Sequence, residues 1–250
     1  MNVLVCVKRV PVTGGRITLT PDERAIDTRY LGFTVSPHEE CAVEEAVRLV
    51  EVWGGSSTVL TLGPPEAEEQ LRDALALGVD EAILLETDGA EWDPGATAAA
   101  VAGTVRDRGF DLLLFGNEAA DTGDYQVGIR VAHILGFPCI PGVKGLELLD
   151  GTVLARREAG DGWEVFELPL PAVVSVKEGI NLPRYPSMPG RLRAKKKEIQ
   201  RVRPERSPAG VEMVRLRLPE AADKQVEVLG EGPEAAPRVM EVLREIGVVP

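Results

Sequence analysis

Short apolar runs and amphipathic helical patterns alternate along most of the chain. The runs are rich in β-branched residues, which is typical of strands buried on both faces of a parallel sheet. Five runs are predicted to be strands: residues 3–7, 57–62, 82–85, 111–115 and 172–176. Helical patterns separate the first four runs, and another follows the fourth. This alternation predicts right-handed βαβ units and a sheet that is covered by helices on both faces.

The clearest helical pattern begins at Ser36 and ends before Gly54. Ser36 is in the N-cap position, Pro37 follows in the first helical position, and Glu39 completes a capping box. Apolar residues at helical spacing mark its buried face: Val43, Ala46, Val47 and Val50. Charged residues are predicted to form its solvent-exposed face: Glu40, Glu44, Glu45, Arg48 and Glu51.

The pattern changes after residue 138. Residues 144–149, 152–158 and 163–168 are predicted to be short strands, because turn residues separate them. Further on, residues 211–218 alternate like a strand and residues 235–246 have a helical pattern, without an evident core of their own. We predict an α/β fold: a Rossmann-like, doubly wound, mainly parallel sheet with a β-hairpin region and an extended C-terminal arm. The predicted domains are residues 1–203 and the arm, 204–250.

Residues 116–128 are the strongest candidate for a ligand site. They connect an apolar strand to a helix, and Gly116 and Gly123 allow a ligand to approach the backbone closely. The N–H groups at the start of such a helix favour an anion such as phosphate. The alternative is an ordinary turn of a parallel sheet. The loops after Cys6 and at Leu62-Gly63 follow other strands at the same predicted sheet edge, which favours a nucleotide.

Catalytic and metal-binding motifs are missing from the sequence. It has no P-loop lysine motif, no G-x-G-x-x-G after the first strand and no nucleophile elbow. Three separated cysteines and two histidines predict neither a disulfide framework nor a metal centre. Carboxylates such as Asp121 and Asp124 are explained more simply as caps or turn residues than as acid/base groups. We therefore expect a binding protein without catalytic residues.

The charge is distributed unevenly. The net charge is −12, yet residues 184–203 contain eight of the 28 lysines and arginines and one of the 40 acidic residues. Such a basic segment fits an acidic partner, a nucleic acid or a membrane surface, or is simply solvated. No apolar run reaches the length of a membrane span, and no signal peptide is evident, so we expect a cytoplasmic protein.

Motifs along nearly the whole chain resemble the β subunit of electron transfer flavoprotein. Their order and spacing carry the resemblance, since several of them are weak individually. They are Val5-Cys6-Val7-Lys8-Arg9-Val10, residues 41–49, Leu62-Gly63-Pro64, residues 74–80, residues 116–128, Leu170-Pro171-Ala172-Val173-Val174, Pro183-Arg184-Tyr185 and Ala194-Lys195-Lys196-Lys197.

The resemblance implies an αβ heterodimer in which the α subunit holds most of the FAD and the β subunit buries a structural AMP. It implies that residues 204–250 contact the α subunit. The residues that it implies for the cofactors are Cys6, Ser36, Pro37, His38, Glu39, Leu62, Gly63, Gly116, Asn117, Asp121, Thr122, Gly123, Asp124, Tyr125, Gln126 and Val127. Members of the family often have an aromatic residue near the flavin where this chain has His38.

The resemblance also implies a segment, residues 183–197, that recognises partner dehydrogenases. Met188, interpreted as its lone large aliphatic side chain, would enter an apolar pocket of the partner, and basic residues would attract it. The implied docking residues are Arg184, Tyr185, Met188, Arg191, Arg193, Lys195, Lys196 and Lys197. The chain would carry electrons from acyl-CoA or related dehydrogenases towards a membrane quinone reductase. It would have no substrate turnover of its own, no nucleic-acid partner and no insertion into the membrane.

Two alternatives remain open at this point. In the first, the nucleotide site holds a second FAD and the heterodimer bifurcates electrons. In the second, the chain is a nucleotide-binding protein of the universal stress kind, which shares the α/β layout but leaves the basic segment and the arm unexplained.

Overall fold

The computed structural model describes residues 1–12, 14, 17–208, 210–219 and 227–249. Its strands are β1 (Asn2–Cys6), β2 (Val10–Pro11), β3 (Phe33–Thr34), β4 (Ser56–Gly63), β5 (Glu81–Glu86), β6 (Leu112–Gly116), β7 (Cys139–Leu149), β8 (Thr152–Ala159), β9 (Gly162–Pro169), β10 (Ala172–Val176) and β11 (Gln200–Val202). Its α-helices are α1 (Pro37–Trp53), α2 (Glu68–Leu77), α3 (Pro94–Val105), α4 (Val127–Leu135), α5 (Met188–Ala194) and α6 (Ala236–Glu245). Short 3₁₀ turns at Pro65–Ala67 and Pro233–Ala235 precede α2 and α6.

A nine-stranded sheet organises the fold, in the order β11-β5-β4-β1-β6-β10-β7-β8-β9. The strands from β11 to β7 pair in parallel, whereas β7, β8 and β9 pair antiparallel as the predicted hairpin region. The predicted α/β fold is confirmed. Strand β1 lies in the middle, with Val5 opposite Val59 of β4 and Leu114 of β6. The strand order reverses at β1, which is where open parallel sheets bind ligands.

The central strands are buried on both faces, which explains their uninterrupted apolar sequences. In β1, Val3 and Val5 belong to a core with residues of α1 and α2, and Leu4 belongs to a second core with residues of α3 and α4. Because successive side chains of a strand point to opposite faces, both sets must be apolar when helices cover both faces.

The prediction that the charged residues of α1 are all exposed is partly wrong. Glu44 and Glu45 are buried, with only 5% and 7% of their surface exposed. Arg184 binds the carboxylate of Glu44, and the side-chain amide of Asn181 donates to Glu45. Both partners are distant in sequence, so helical spacing alone could not show that the chain returns to cover these carboxylates.

The C-terminal part differs from the predictions in two respects. Residues 211–218 were predicted to be a strand but form none. Strand β11 was not predicted, and it pairs in parallel with β5. Residues 1–214 and residues 215–250 form two compact units. Arg206 lies in the first unit, where its guanidinium donates to the carbonyl of Glu91. The second unit contains the predicted terminal helix as α6.

The predicted loop at residues 183–197 contains the short helix α5. Ser187 caps it, because its hydroxyl oxygen accepts a hydrogen bond from the N–H of Gly190 at 3.1 Å. Pro189 occupies an early helical position, where the missing N–H has no cost. No helix in the described part of the chain is both long and apolar enough to cross a membrane.

Candidate functional site

The three predicted site loops follow three neighbouring strands. Strands β4, β1 and β6 are adjacent and parallel, so Gly63, Cys6 and Gly116 end them at the same edge of the sheet. The predicted convergence of these loops is therefore confirmed.

Glu39 joins the loop after β1 to the start of α1. Its carboxylate accepts hydrogen bonds from the backbone N–H of Lys8 at 2.8 Å and from the N–H of Ser36 at 3.0 Å. The hydroxyl of Ser36 in turn accepts from the N–H of Ala120 at 3.0 Å, in the loop after β6. Two loops of the candidate site are thus fixed to the N-terminus of α1. Pro37 begins that helix as predicted.

Burial controls the ionisation of Glu39. Only 6% of its surface is exposed, and this burial raises the pKa of its carboxyl group to about 7, although the hydrogen bonds from Ser36 and Lys8 oppose the rise. The loops are consequently held by a carboxyl group that titrates near neutral pH.

Gly116 is required because α1 and β6 approach closely at this edge. A Cβ atom on Gly116 would lie 2.6 Å from Cγ of Glu39 and 3.1 Å from its backbone nitrogen. Gly128, in the first turn of α4, is packed in the same way, since a Cβ there would lie 2.8 Å from Oγ of Ser175. These two glycines let the helix starts sit directly against the sheet edge.

The loop between β6 and α4 contains two residues with a left-handed backbone conformation. Gly123 and Tyr125 have positive φ angles of 58° and 57°, and the tyrosine ring is 54% exposed. Gln126 precedes α4, and its side-chain oxygen accepts hydrogen bonds from Arg130 at 2.8 Å and 3.0 Å. The first N–H groups of a helix have no carbonyl partner within it, so Val127 and Gly128 present donors to an anion at this end of α4.

Lys8 is a site residue that was not predicted. Its ammonium group lies 2.8 Å from a carboxylate oxygen of Asp121 and 3.1 Å from one of Glu91. Burial lowers the pKa of Lys8, but the charges of Glu91 and Asp121 raise it more, so its pKa lies above the ordinary value. A lysine directly after a central strand was the available signal, but its partners are far along the chain. The pair identifies Asp121 as a structural carboxylate of the loop.

His38 has a ring nitrogen that lacks a partner. Its Nδ1 atom is buried and makes no hydrogen bond, and its Nε2 atom lies 3.9 Å from Glu118. An unpaired buried nitrogen at the edge of the sheet fits a bound ligand, because leaving a polar atom unpaired is costly. The first N–H groups of α4 fit an anionic group such as the phosphate of a nucleotide.

Most of the remaining residues predicted to bind the nucleotide make hydrogen bonds through their backbone groups. The thiol of Cys6 is buried, which raises its pKa far above the ordinary range and leaves it unreactive. The carbonyl of Gly63 accepts from Thr87, and the N–H of Asn117 donates to Val176 of β10. The N–H of Thr122 donates to the carboxylate of its neighbour Asp121 at 2.8 Å. Asp124 is exposed, and Leu62 is half-buried and packs against the second core.

The predicted docking residues divide into two groups. Arg184 and Lys197 make hydrogen bonds to α1 and to the residues after α2, respectively. The others are largely exposed: Tyr185, Met188, Arg191, Arg193, Lys195 and Lys196. Met188 is not the lone large aliphatic side chain of the segment, because Leu192 follows one helical turn later and is 59% exposed. Leu192 follows Met188 at helical spacing in the sequence. That spacing was not considered because the segment was predicted to be a loop.

Comparisons with known proteins show the family of this chain. A family model described as an electron transfer flavoprotein domain matches residues 25–207. The chain belongs to the electron transfer flavoprotein family. Bacillus subtilis electron transfer flavoprotein subunit beta is 38% identical over 202 residues, which cover 80% of this chain and 78% of that protein. The subunit beta of Syntrophomonas wolfei is 34% identical over 245 residues, covering 98% of this chain and 96% of that protein.

Membership of the electron transfer flavoprotein family confirms the resemblance seen in the sequence. A further subunit beta, from Mycobacterium tuberculosis strain H37Rv, is 36% identical over 207 residues, which cover 79% of this chain and 77% of that protein. The match to the family model includes the start of α1, the loop between β6 and α4, and the whole docking segment, which we define as residues 183–197. Membership of this family supports a role in electron transfer by a flavoprotein.

Proposed function

We propose that this chain is the β subunit of a heterodimeric electron transfer flavoprotein, and that its own nucleotide is a structural AMP. The α subunit would hold most of the FAD, and this chain would help to enclose it. The FAD supplies the redox chemistry when it is bound. This chain has no substrate turnover of its own; it contributes the fold, the nucleotide site and the docking segment.

The observation that carries the nucleotide proposal is the start of α4, where the first N–H groups have no partner within the helix and Gly128 packs closely against Ser175 at the sheet edge. One phosphate would accept hydrogen bonds from the first N–H groups of α4, with Arg130 one turn further along. The imidazole of His38 would pack against the nucleotide or the flavin. The predicted residues 116–127 would follow the phosphate and the sugar.

The charges around the site favour a monophosphate over a longer anion. Glu118, Asp121 and Glu91 lie near its edge, and Lys8 neutralises the last two only in part. Carboxylates match the hydroxyl groups of a ribose, but they repel additional phosphates. This balance supports AMP rather than a second FAD, and it supports a simple electron carrier rather than a bifurcating one.

The docking segment supports acyl-CoA or related dehydrogenases as electron donors. Tyr185 is 95% exposed, Met188 71% and Leu192 59%, and basic side chains surround them. Exposed apolar side chains that are surrounded by basic residues are complementary to an apolar pocket of the partner with acidic residues at its rim. Electrons would then pass to a membrane quinone reductase, without insertion of this chain into the membrane and without a nucleic-acid partner.

Co-expression with the α subunit from the same organism tests the proposal. We expect a yellow heterodimer that co-purifies and that a purified acyl-CoA dehydrogenase reduces in the presence of its substrate. A colourless homodimer that does not bind the α subunit would instead indicate a nucleotide-binding protein of the universal stress kind.

A further inference from the structure

The docking segment is exposed in its middle but tightly fixed at both ends. Gly190, in the middle of α5, sits on the last turn of α2: a Cβ atom there would lie 2.4 Å from the carbonyl oxygen of Ala76. Ala194 is buried, with 2% of its surface exposed. One face of α5 therefore packs on the fold, while Met188 and Leu192 remain outside it.

Arg184 fixes the start of the segment to α1. Its guanidinium donates to both carboxylate oxygens of Glu44, at 2.9 Å and 3.1 Å, and to both of Glu51, at 2.6 Å and 2.9 Å. Its backbone N–H also donates to Glu44 at 3.1 Å. Just before the segment, the side chain of Asn181 donates to the carbonyl of Cys41 at 3.0 Å. The planar fork of an arginine is suited to this double attachment, whereas a lysine cannot reproduce it.

Arg72 fixes the end of the segment from α2. One guanidinium nitrogen donates to the carbonyl of Ala194 at 2.6 Å and to that of Lys197 at 2.5 Å. The other nitrogens donate to Glu68 at 2.9 Å and 3.1 Å, which orients the group. In the opposite direction, the ammonium of Lys197 donates to the carbonyls of Val79 and Asp80, both at 2.8 Å. The carbonyl of Ala194 also accepts from the N–H of Lys197 at 3.2 Å, so Arg72 adds a second donor there and ties both carbonyls at the end of the short helix to α2.

We propose that Arg72 and Arg184 are positioning residues, which hold the docking segment in one shape before the dehydrogenase arrives. The inference rests on the proposed function, because it assigns a role within docking. A segment of fifteen residues with proline at three positions and only a two-turn helix would otherwise occupy many conformations. Apparent affinity falls in proportion to the fraction of molecules in the binding conformation. Pre-ordering therefore strengthens docking without any contact between these arginines and the partner.

Charge-conserving variants separate positioning from electrostatic attraction. Arg72→Lys and Arg184→Lys keep every charge but lose the double attachments. We expect each to raise the KM for the heterodimer, as substrate of a purified acyl-CoA dehydrogenase, about three- to tenfold, as a comparable fall in the ordered fraction implies. The kcat and the content of FAD and AMP should stay within twofold. Arg48→Lys on α1, whose side chain is half exposed, is the matched control and should change nothing.

Hydrogen–deuterium exchange of the heterodimer provides a readout that needs no partner. Both lysine variants should speed exchange in peptides that cover residues 183–197 and leave other peptides unchanged. Met188→Ala should raise the KM without altering exchange. Arg184→Gln combined with Glu44→Gln removes the attachment without leaving a buried charge unpaired, and it should also speed exchange.

The outcomes distinguish the inference from the proposed function. Unchanged exchange in the lysine variants, or faster exchange with an unchanged KM, would overturn the positioning role. If the native heterodimer is not reduced by the dehydrogenase, the proposed partner is wrong, and exchange alone decides whether the two arginines order the segment.

Discussion

The buried carboxyl group of Glu39 makes a specific prediction about pH. It bridges the backbone of Lys8 and Ser36, and burial raises its pKa from an ordinary 4.5 to about 7 in the folded protein. Between these two values the folded state keeps a proton that the unfolded state has lost. Stability should therefore fall as the pH rises through this window and change little from this group outside it.

The size of the effect follows from the two pKa values. Linkage gives a loss of about 2.5 kcal/mol between pH 5 and pH 8 that is due to Glu39 alone. For a chain of this length the loss corresponds to a fall of about 5–10 °C in the melting temperature. Glu39→Gln removes the titrating group but keeps the length of the side chain, so its profile should lack this fall.

The assay compares thermal unfolding of the wild-type and Glu39→Gln heterodimers, with the same α subunit, at pH 5 to 8. Only the difference between the two profiles is interpreted, because all other titrating groups are shared. Glu81→Gln, at an exposed position at the start of β5, is the matched control and should follow the wild type. Parallel profiles for wild type and Glu39→Gln would show that Glu39 is not held in a raised-pKa environment and would refute the reasoning.

Three further substitutions test the site and the docking segment. Gly116→Ala places a methyl group against Glu39; we expect about 1–3 kcal/mol of destabilisation and loss of bound AMP, measured by denaturation and nucleotide analysis. Met188→Ala should slow reduction by the dehydrogenase at least tenfold, since a docking side chain in a pocket typically contributes 2 kcal/mol or more, while FAD and AMP content stay unchanged. Combined Lys195→Gln and Lys196→Gln should make the reduction rate less dependent on ionic strength.

Each of these substitutions has a control within the chain. Gly103→Ala on α3 adds a methyl group where no atom lies within 4 Å, and it should not destabilise the protein. Val52→Ala truncates an exposed side chain on α1 and should leave reduction unchanged. Lys144→Gln on β7 removes one positive charge outside the docking segment. Loss of AMP in Gly103→Ala, normal kinetics in Met188→Ala, or equal salt dependence in all lysine variants would each contradict the corresponding prediction.

The sequence predicted those features that depend on local patterns. The apolar run at β1 indicated a strand buried on both faces, and Ser36, Pro37 and Glu39 indicated where α1 begins. The order of strands and helices then placed the loops after Cys6, Gly63 and Gly116 at one edge. These predictions succeeded because hydrophobic period and capping are local rules, and because the parallel strands of one sheet end at the same edge.

The features that were not predicted depend on residues that are far apart in the sequence. Glu44 is buried only because Arg184 returns to it, and Lys8 enters the site only through Asp121 and Glu91. Helix α5 was not predicted because its two turns contain proline and glycine, which are unusual within helices. It is stabilised by Arg72 and by packing on α2, and both lie far from it in the sequence. No pattern within a short window contains such information.

The identity of the nucleotide in the β-chain site tests the central claim most directly. Acid treatment of the purified heterodimer releases its nucleotides, which chromatography then separates and quantifies. One FAD and one AMP per heterodimer is the result that the proposed structural site predicts. Two FAD and no AMP would contradict it and would identify a bifurcating flavoprotein instead.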